Sequence, residues 1–287
     1  IAGKAASGPC RGRLAIDGDC LHAAVGQPGR VLMVDMRTGD VSPKSYLARG
    51  DEKSYARQIV PPVAALAMAA RRIAVRFETS SRVAIVGLDG AVQAEFEGEG
   101  ELALSPDGRL CVAGSAVHDA ATGAPVFALP SEQEPVSFSA TDRARFSRDG
   151  RWLARATRGG RVELWDGARL RGGAGVGARL SAAPMPAARW DQAGKPEAVD
   201  GLVVLDDGRV VTSTGVELQL WVDGQIARTL PFHAERVCLG ADGRSVWGIR
   251  RKRALVGVDL EAGTEFGQDG HLAPVKVVTH SPRAPLA

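Results

Sequence analysis

One kind of tight turn recurs along this chain and limits what it can fold into. Asp-Gly stands at Asp17-Gly18, Asp107-Gly108, Asp149-Gly150, Asp207-Gly208 and Asp242-Gly243. Arg follows in four of these, as Arg109, Arg151, Arg209 and Arg244. A second turn comes at a similar distance after each, at Asp35…Gly39, Asp119…Gly123, Asp166-Gly167, Asp223-Gly224 and Asp259…Gly263. Short apolar runs flank the turns. Asp and Gly both tolerate the positive φ of a two-residue hairpin turn, so each Asp-Gly predicts a pair of antiparallel strands. A meander of three or four short strands cannot bury its faces alone. It needs neighbours, and the other copies supply them.

The order strand, turn, strand, turn, strand, turn, strand repeats over approximately 13–48, 63–98, 101–130, 143–180, 199–230 and 236–267. The second unit has a weak first turn near Ala69 to Arg72 and a clear one at Asp89-Gly90. The period averages about 40 residues, the size of a four-stranded propeller blade. The expectation is an all-β chain, a closed β-propeller of four-stranded antiparallel blades, making a single domain over 1–287. The tail from Gly270 to Ala287 begins another unit and stops. Joined by the N-terminal segment, it would form a last blade closed by both termini, which leaves no long sheet edge exposed. Seven blades are expected, with six as the alternative. The third unit is short between its two turns, as though its middle hairpin had lost residues. Two inter-blade stretches, near 42–58 and 171–198, read as long loops. The chain starts at Ile1 and is expected to be part of a longer protein.

Charge excludes little by itself. Basic residues number 36 and acidic residues 33, a net charge of +3. That balance is too even to argue for nucleic acid or membrane from charge alone. No apolar run approaches the ~20 residues of a membrane span, and the N-terminus lacks a charged-then-apolar leader pattern. A cytoplasmic location with no membrane partner is therefore expected. The preference for Arg over Lys, with abundant Ala and Gly, reads as a GC-rich bacterial source. Cys10, Cys20, Cys111 and Cys238 form no CxxC pair and read as buried reduced thiols. Two disulfides, or a metal site shared with histidine, are the alternatives.

Several segments resemble the WD40 repeat family. The stretch from Arg143 to Asp166 contains FSRDGRWLA and then RVELWD, and Ala198 to Trp221 and Glu101 to Ser115 are similar to the same repeat. Gly270-His271 is similar to the family's Gly-His dipeptide. Trp-Asp itself closes the third strand at Trp165-Asp166, and becomes Trp221-Val222, His118-Asp119 and Val34-Asp35 in other units. Thr157 and Trp165 match two members of the family's hydrogen-bonded set, while Arg158-Gly159-Gly160 stands where its Asp is expected. His118 reads as a replacement for Trp. The resemblance implies a non-catalytic platform for proteins or peptides, often inside larger multi-domain chains.

Catalytic signatures are missing. There is no HExxH, no GxSxG and no complete phosphate loop, since Ala5 follows Gly3-Lys4 where Ser or Thr is required. The glycines from Gly173 to Gly177 precede no helical pattern. The histidines His22, His118, His233, His271 and His280 are scattered. No catalytic residue, metal site or cofactor is expected. The middle turns of the units are basic, with Arg30, Arg82, Arg158, Arg161 and the run Arg250, Arg251, Lys252 and Arg253; Glu217 breaks the pattern. In a propeller these turns share one end. The bland reading is a solvated surface. The sharper reading is a ring of guanidinium groups that binds an acidic peptide, a phosphate group or single-stranded nucleic acid, because Arg bonds carboxylate and phosphate bidentately. Trp190, in the expected 171–198 loop, is the tryptophan expected to be exposed and to anchor a partner. The leading expectation is a protein-binding or scaffolding module of a larger bacterial protein or complex. A propeller enzyme working at the central channel, and direct nucleic-acid binding with a steep salt dependence, are the alternatives.

Overall fold

The structure is a computed structural model. It describes residues 13–16, 22–27, 29–42, 46–47, 62–78, 80–129, 143–156, 161–172, 188–191, 199, 201–214, 217–232, 235–240, 242–250 and 254–268. These residues form six four-stranded sheets, each with its strands antiparallel and in sequence order. Sheet 1 holds β1 (Arg13–Ile16), β2 (His22–Gln27), β3 (Arg30–Asp35) and β4 (Tyr46–Leu47). Sheet 2 holds β5 (Val63–Ala69), β6 (Arg72–Phe77), β7 (Arg82–Gly87) and β8 (Val92–Glu97). In sheet 3 are β9 (Leu102–Leu104), β10 (Leu110–Ala113), β11 (Ala116–Asp119) and β12 (Pro125–Ala128). Sheet 4 comprises β13 (Arg143–Phe146), β14 (Trp152–Ala156), β15 (Arg161–Asp166) and β16 (Ala188–Asp191). Sheet 5 comprises β17 (Gly201–Val204), β18 (Val210–Ser213), β19 (Glu217–Val222) and β20 (Gln225–Pro231). Sheet 6 is β21 (Glu235–Leu239), β22 (Ser245–Arg250), β23 (Ala254–Asp259) and β24 (Glu265–Gln268).

The first strand of each sheet lies against the first strand of the next, from β1 through β5, β9, β13 and β17 to β21. Period-2 alternation gives every sheet two faces, and apolar residues on facing sheets close into separate cores. Ala24, Met33, Ile73 and Val75 fill the space between sheets 1 and 2. Val83, Ile85, Leu104 and Cys111 do so between sheets 2 and 3. Val117, Phe127, Leu153 and Trp165 occupy the next interface. Leu164, Val210 and Trp221 follow. Val211, Leu218, Phe232, Val246 and Val258 make the core between sheets 5 and 6.

The Asp-Gly turns differ in type from the expectation. Only their glycines are left-handed, with φ of 68° at Gly108, 71° at Gly150, 89° at Gly208 and 66° at Gly243. Left-handed non-glycine residues among those described are Ala70, Arg71 and Asp223. The two-residue hairpin turn therefore occurs at Ala70-Arg71 and Asp223-Gly224. The Asp-Gly-Arg turns are longer, with three residues, 206–208, between the paired ends in sheet 5 and four, such as 148–151, in sheets 3, 4 and 6. In sheet 4, Gly150 N–H donates to Ser147 C=O at 3.0 Å, and Ser147 N–H donates to Trp152 C=O at 2.9 Å. The Asp serves as an acceptor there: Arg151 N–H reaches Asp149 Oδ1 at 2.9 Å and Ser147 Oγ–H reaches it at 2.6 Å. Ser105 and Asp107 repeat this arrangement in sheet 3.

Two expected loops hold the outer strands of their sheets. β4 falls within 42–58 and β16 within 171–198, where Trp190 pairs with Val162. An outermost strand borders one neighbour only and carries little apolar pattern, so Tyr46-Leu47 and Ala188–Asp191 give too short a signal to read. Before β16 the chain turns through a short helix, Gly167–Gly172, which takes the place of the turn expected at Asp166-Gly167. Asp166 Oδ1 accepts from Ala168 N–H at 2.8 Å at its start. The expected seventh blade draws on 1–12 and 269–287 and lies outside the described residues, as do Asp17-Gly18 and Thr157.

Candidate interaction surface

Each sheet presents its first and third turns at one end and its middle turn at the other. At the first-turn end, adjacent sheets are tied by side chains. Arg148 places Nη2 at 2.8 Å and Nε at 3.1 Å from Asp206 Oδ2, and Asp206 Oδ1 accepts from Asp149 N–H at 3.1 Å. Arg72 Nη1–H donates to Gly108 C=O at 2.7 Å. From sheet 5, Arg228 donates to the carbonyls of Leu260, Glu261 and Ala262 in the last turn of sheet 6. Turn carboxylates there accept local N–H groups, and in Asp35, Asp242 and Asp259 these bonds favour the ionised form. Hydrogen bonds from Arg37 hold Asp35 down to about 2. Burial would raise Asp242, but the backbone N–H groups of Arg244 and Ser245 bring it below the usual value.

The middle-turn end carries the predicted arginines. Arg30 is exposed and donates from Nε to Gln27 Oε1 at 2.9 Å. Arg82 is exposed at the start of β7 and lies 3.5 Å from Glu95 on β8. Arg250 grips Glu265 on β24 with two bonds, at 2.5 and 2.6 Å. Arg161 and Trp190 are placed by their backbones, as the first residue of β15 and the third of β16. Arg158, Arg251, Lys252 and Arg253 lie outside the described residues. Two of the arginines thus have a carboxylate on the adjoining outer strands, which lowers the free positive charge relative to an all-arginine ring.

A second cluster, not singled out in the sequence, sits at the inner edge of this end. Arg145, on innermost β13, donates from Nη2 to Glu101 Oε1 at 3.0 Å and from Nη1 to Ala144 C=O at 2.7 Å. Arg143, two residues before it, reaches the same Glu101 oxygen at 3.9 Å and donates from Nε to Val199 C=O at 2.9 Å. Arg76 donates from Nη2 to Gly100 C=O at 3.0 Å. Arginines from sheets 2 and 4 therefore hold the segment that enters sheet 3, and Arg143 also touches the entry to sheet 5. The Glu101 carboxylate raises the Arg145 guanidinium above its usual value, against the effect of burial. Cys238 on β21 feels the charge of Arg145, yet burial pushes its thiol up to about 12, which leaves it un-ionised at neutral pH. Cys111 is likewise raised to about 12 by burial. The i, i+2 spacing of Arg143 and Arg145 becomes a signal only once β13 is known to be an innermost strand, where Arg at alternate positions is unusual.

His118 does occupy the Trp position of sheet 3. It is buried, stacks on Phe96 of sheet 2 at 3.9 Å between ring centroids, and has Nδ1 at 3.1 Å from Gly123 C=O. Among the described residues, no group of three or more His, Cys, Asp or Glu could hold a metal ion. No described helix is long and apolar enough to cross a membrane.

No known protein-family model matches the chain, and no curated protein does. Among solved structures, the β-propeller domain of Myceliophteria thermophila Cps50 (Swd1) matches with a TM-score of 0.67 over 97% of this chain and 92% of that one, at 14% identity. The chain has a β-propeller fold. Its six described sheets are blades, and β1, β5, β9, β13, β17 and β21 are the strands nearest the propeller axis. The cluster of Arg143, Arg145 and Glu101 consequently lies on the innermost side of blades 3 and 4 at the middle-turn end.

Proposed function

We propose that this propeller is a non-catalytic protein-binding or scaffolding module, working in the cytoplasm within a larger bacterial protein or complex, with its middle-turn end as the contact surface. The observation that carries the reading is the pair of exposed middle-turn arginines, Arg30 and Arg82, on a propeller in which side chains tie neighbouring blades. At the first-turn end, Arg148, Asp206, Arg72 and Arg228 are committed to neighbouring blades, which makes a stiff frame. A stiff frame presents the opposite loops at little entropic cost on binding. Those loops carry the exposed Arg30 and Arg82 and the run Arg251 to Arg253. Arginine-rich rims favour acidic protein surfaces by steering and by bidentate bonds.

The test is cross-linking and pull-down with Arg30, Arg82, Arg251 and Arg253 replaced together by Glu. Arg250 is left in place because reversing it would set two carboxylates against each other at Glu265. Capture should be lost while the thermal midpoint stays within a few degrees. A matched Arg109→Glu variant at the other end should capture normally. Equal capture by both variants would overturn the choice of surface.

A further inference from the structure

Arg145 stands out among the buried and half-buried charges. It belongs to an innermost strand, yet 40% of its side chain is exposed. Arginine has five N–H donors, and the bonds to Glu101 and Ala144 occupy one on each terminal nitrogen. Glu101 in turn is 19% exposed and faces two guanidinium groups, those of Arg145 and Arg143, at 3.0 and 3.9 Å. The segment that bears Glu101 is pressed into this position. The middle turn of blade 3 comes so close to it that a Cβ on Gly114 would lie 3.1 Å from Glu99 C=O, and one on Gly98 would lie 2.6 Å from Ala113. A rigidly held carboxylate thus fixes a guanidinium that stays 40% exposed on an innermost strand.

Resting on the reading of this end as a protein-contact surface, we propose that Arg145, oriented by Glu101 and flanked by Arg143, is the innermost anchor for a carboxylate side chain of an acidic protein partner. Glu101 both positions the fork and competes with the incoming carboxylate. An Asp or Glu of the partner takes the remaining donors of Arg145 in a charge-assisted bond, in a partly buried setting where such bonds exceed their strength at an open surface.

The probe is a fluorescein-labelled peptide of ten glutamates, read by anisotropy against the whole chain. Arg145→Gln should weaken binding by about tenfold, as expected for losing one partner of a desolvated charged contact. Arg145→Lys should recover part of the loss, since it restores charge without the fork. Glu101→Gln is the deciding variant. It removes the competing charge and should tighten binding by about threefold or more. If Arg145 served only to tie blade 3 to blade 4, Glu101→Gln would loosen this junction and binding would stay equal or weaken, and either outcome overturns the proposal. A loss under threefold for Arg145→Gln overturns it as well. Loss of binding in the four-site Glu variant alone would then leave the wider surface standing without this anchor.

Discussion

The indole N–H of Trp221 donates to the hydroxyl of Thr212 at 2.9 Å, joining the third strand of blade 5 to its second. Both residues are buried. Thr212→Val keeps the shape and removes the hydroxyl that accepts from the buried indole N–H. The expected cost is about 1–3 kcal/mol, read as a lower urea midpoint at unchanged slope.

Blade 4 solves the same position with ions. Strand register sets Arg155 opposite Glu163 just as Thr212 is set opposite Gln219. The pair is 3.0 Å apart, with side chains 2% and 1% exposed, and the guanidinium lies 5.8 Å from the Trp165 ring. Breaking a buried pair leaves an uncompensated charge, so Glu163→Gln should cost about 3–5 kcal/mol. Adding Arg155→Thr recreates the residues of blade 5. The double variant should be more stable than Glu163→Gln alone, and a denaturant double-mutant cycle over both sites should give a coupling of about 1 kcal/mol or more.

Acid should loosen the junction of blades 2 and 3. Burial lowers His118 below its usual value of 6.5, although the bond to Gly123 C=O partly offsets this. A histidine of depressed pKa is more readily protonated when unfolded, so stability is full above the unfolded value and falls as pH drops from there toward the folded one. The thermal midpoint should decline between pH 7.5 and 5.5, and His118→Phe should show a shallower decline. Equal slopes would remove His118 as the cause.

A contrasting outcome is expected at the rim. Arg148 and Asp206 are each about one-third exposed, and exposed pairs contribute little. Asp206→Ala should shift stability by no more than about 1 kcal/mol, measurable by chemical denaturation. A larger loss would mean that the ties at this end act together.

Turns and apolar alternation were enough to place the six units, because both are local properties. Partners across strands were not legible. Thr157 looked like the mate of Trp165 by spacing, yet register gives that position to Arg155. The outer strands β4 and β16 escaped notice because they are brief and border a single neighbour. Among the site residues, Arg30, Arg82 and Arg250 were found as middle-turn charges, but the carboxylates beside Arg82 and Arg250 belong to strands that only the fold brings alongside. Arg143 and Arg145 were hidden for a related reason: they read as strand residues until β13 is known to line the axis.

The shortened hairpin of blade 3 has a geometric consequence. Strands β10 and β11 have four residues each where β6 and β7 have six. Two residues fewer per strand shorten this hairpin by about 7 Å. A wheel of similar spokes offers a visitor no compass bearing, since every rotation by one spoke looks much the same. One spoke with both strands at four residues supplies a north. A partner of the proposed contact surface would meet one direction that differs from all the others.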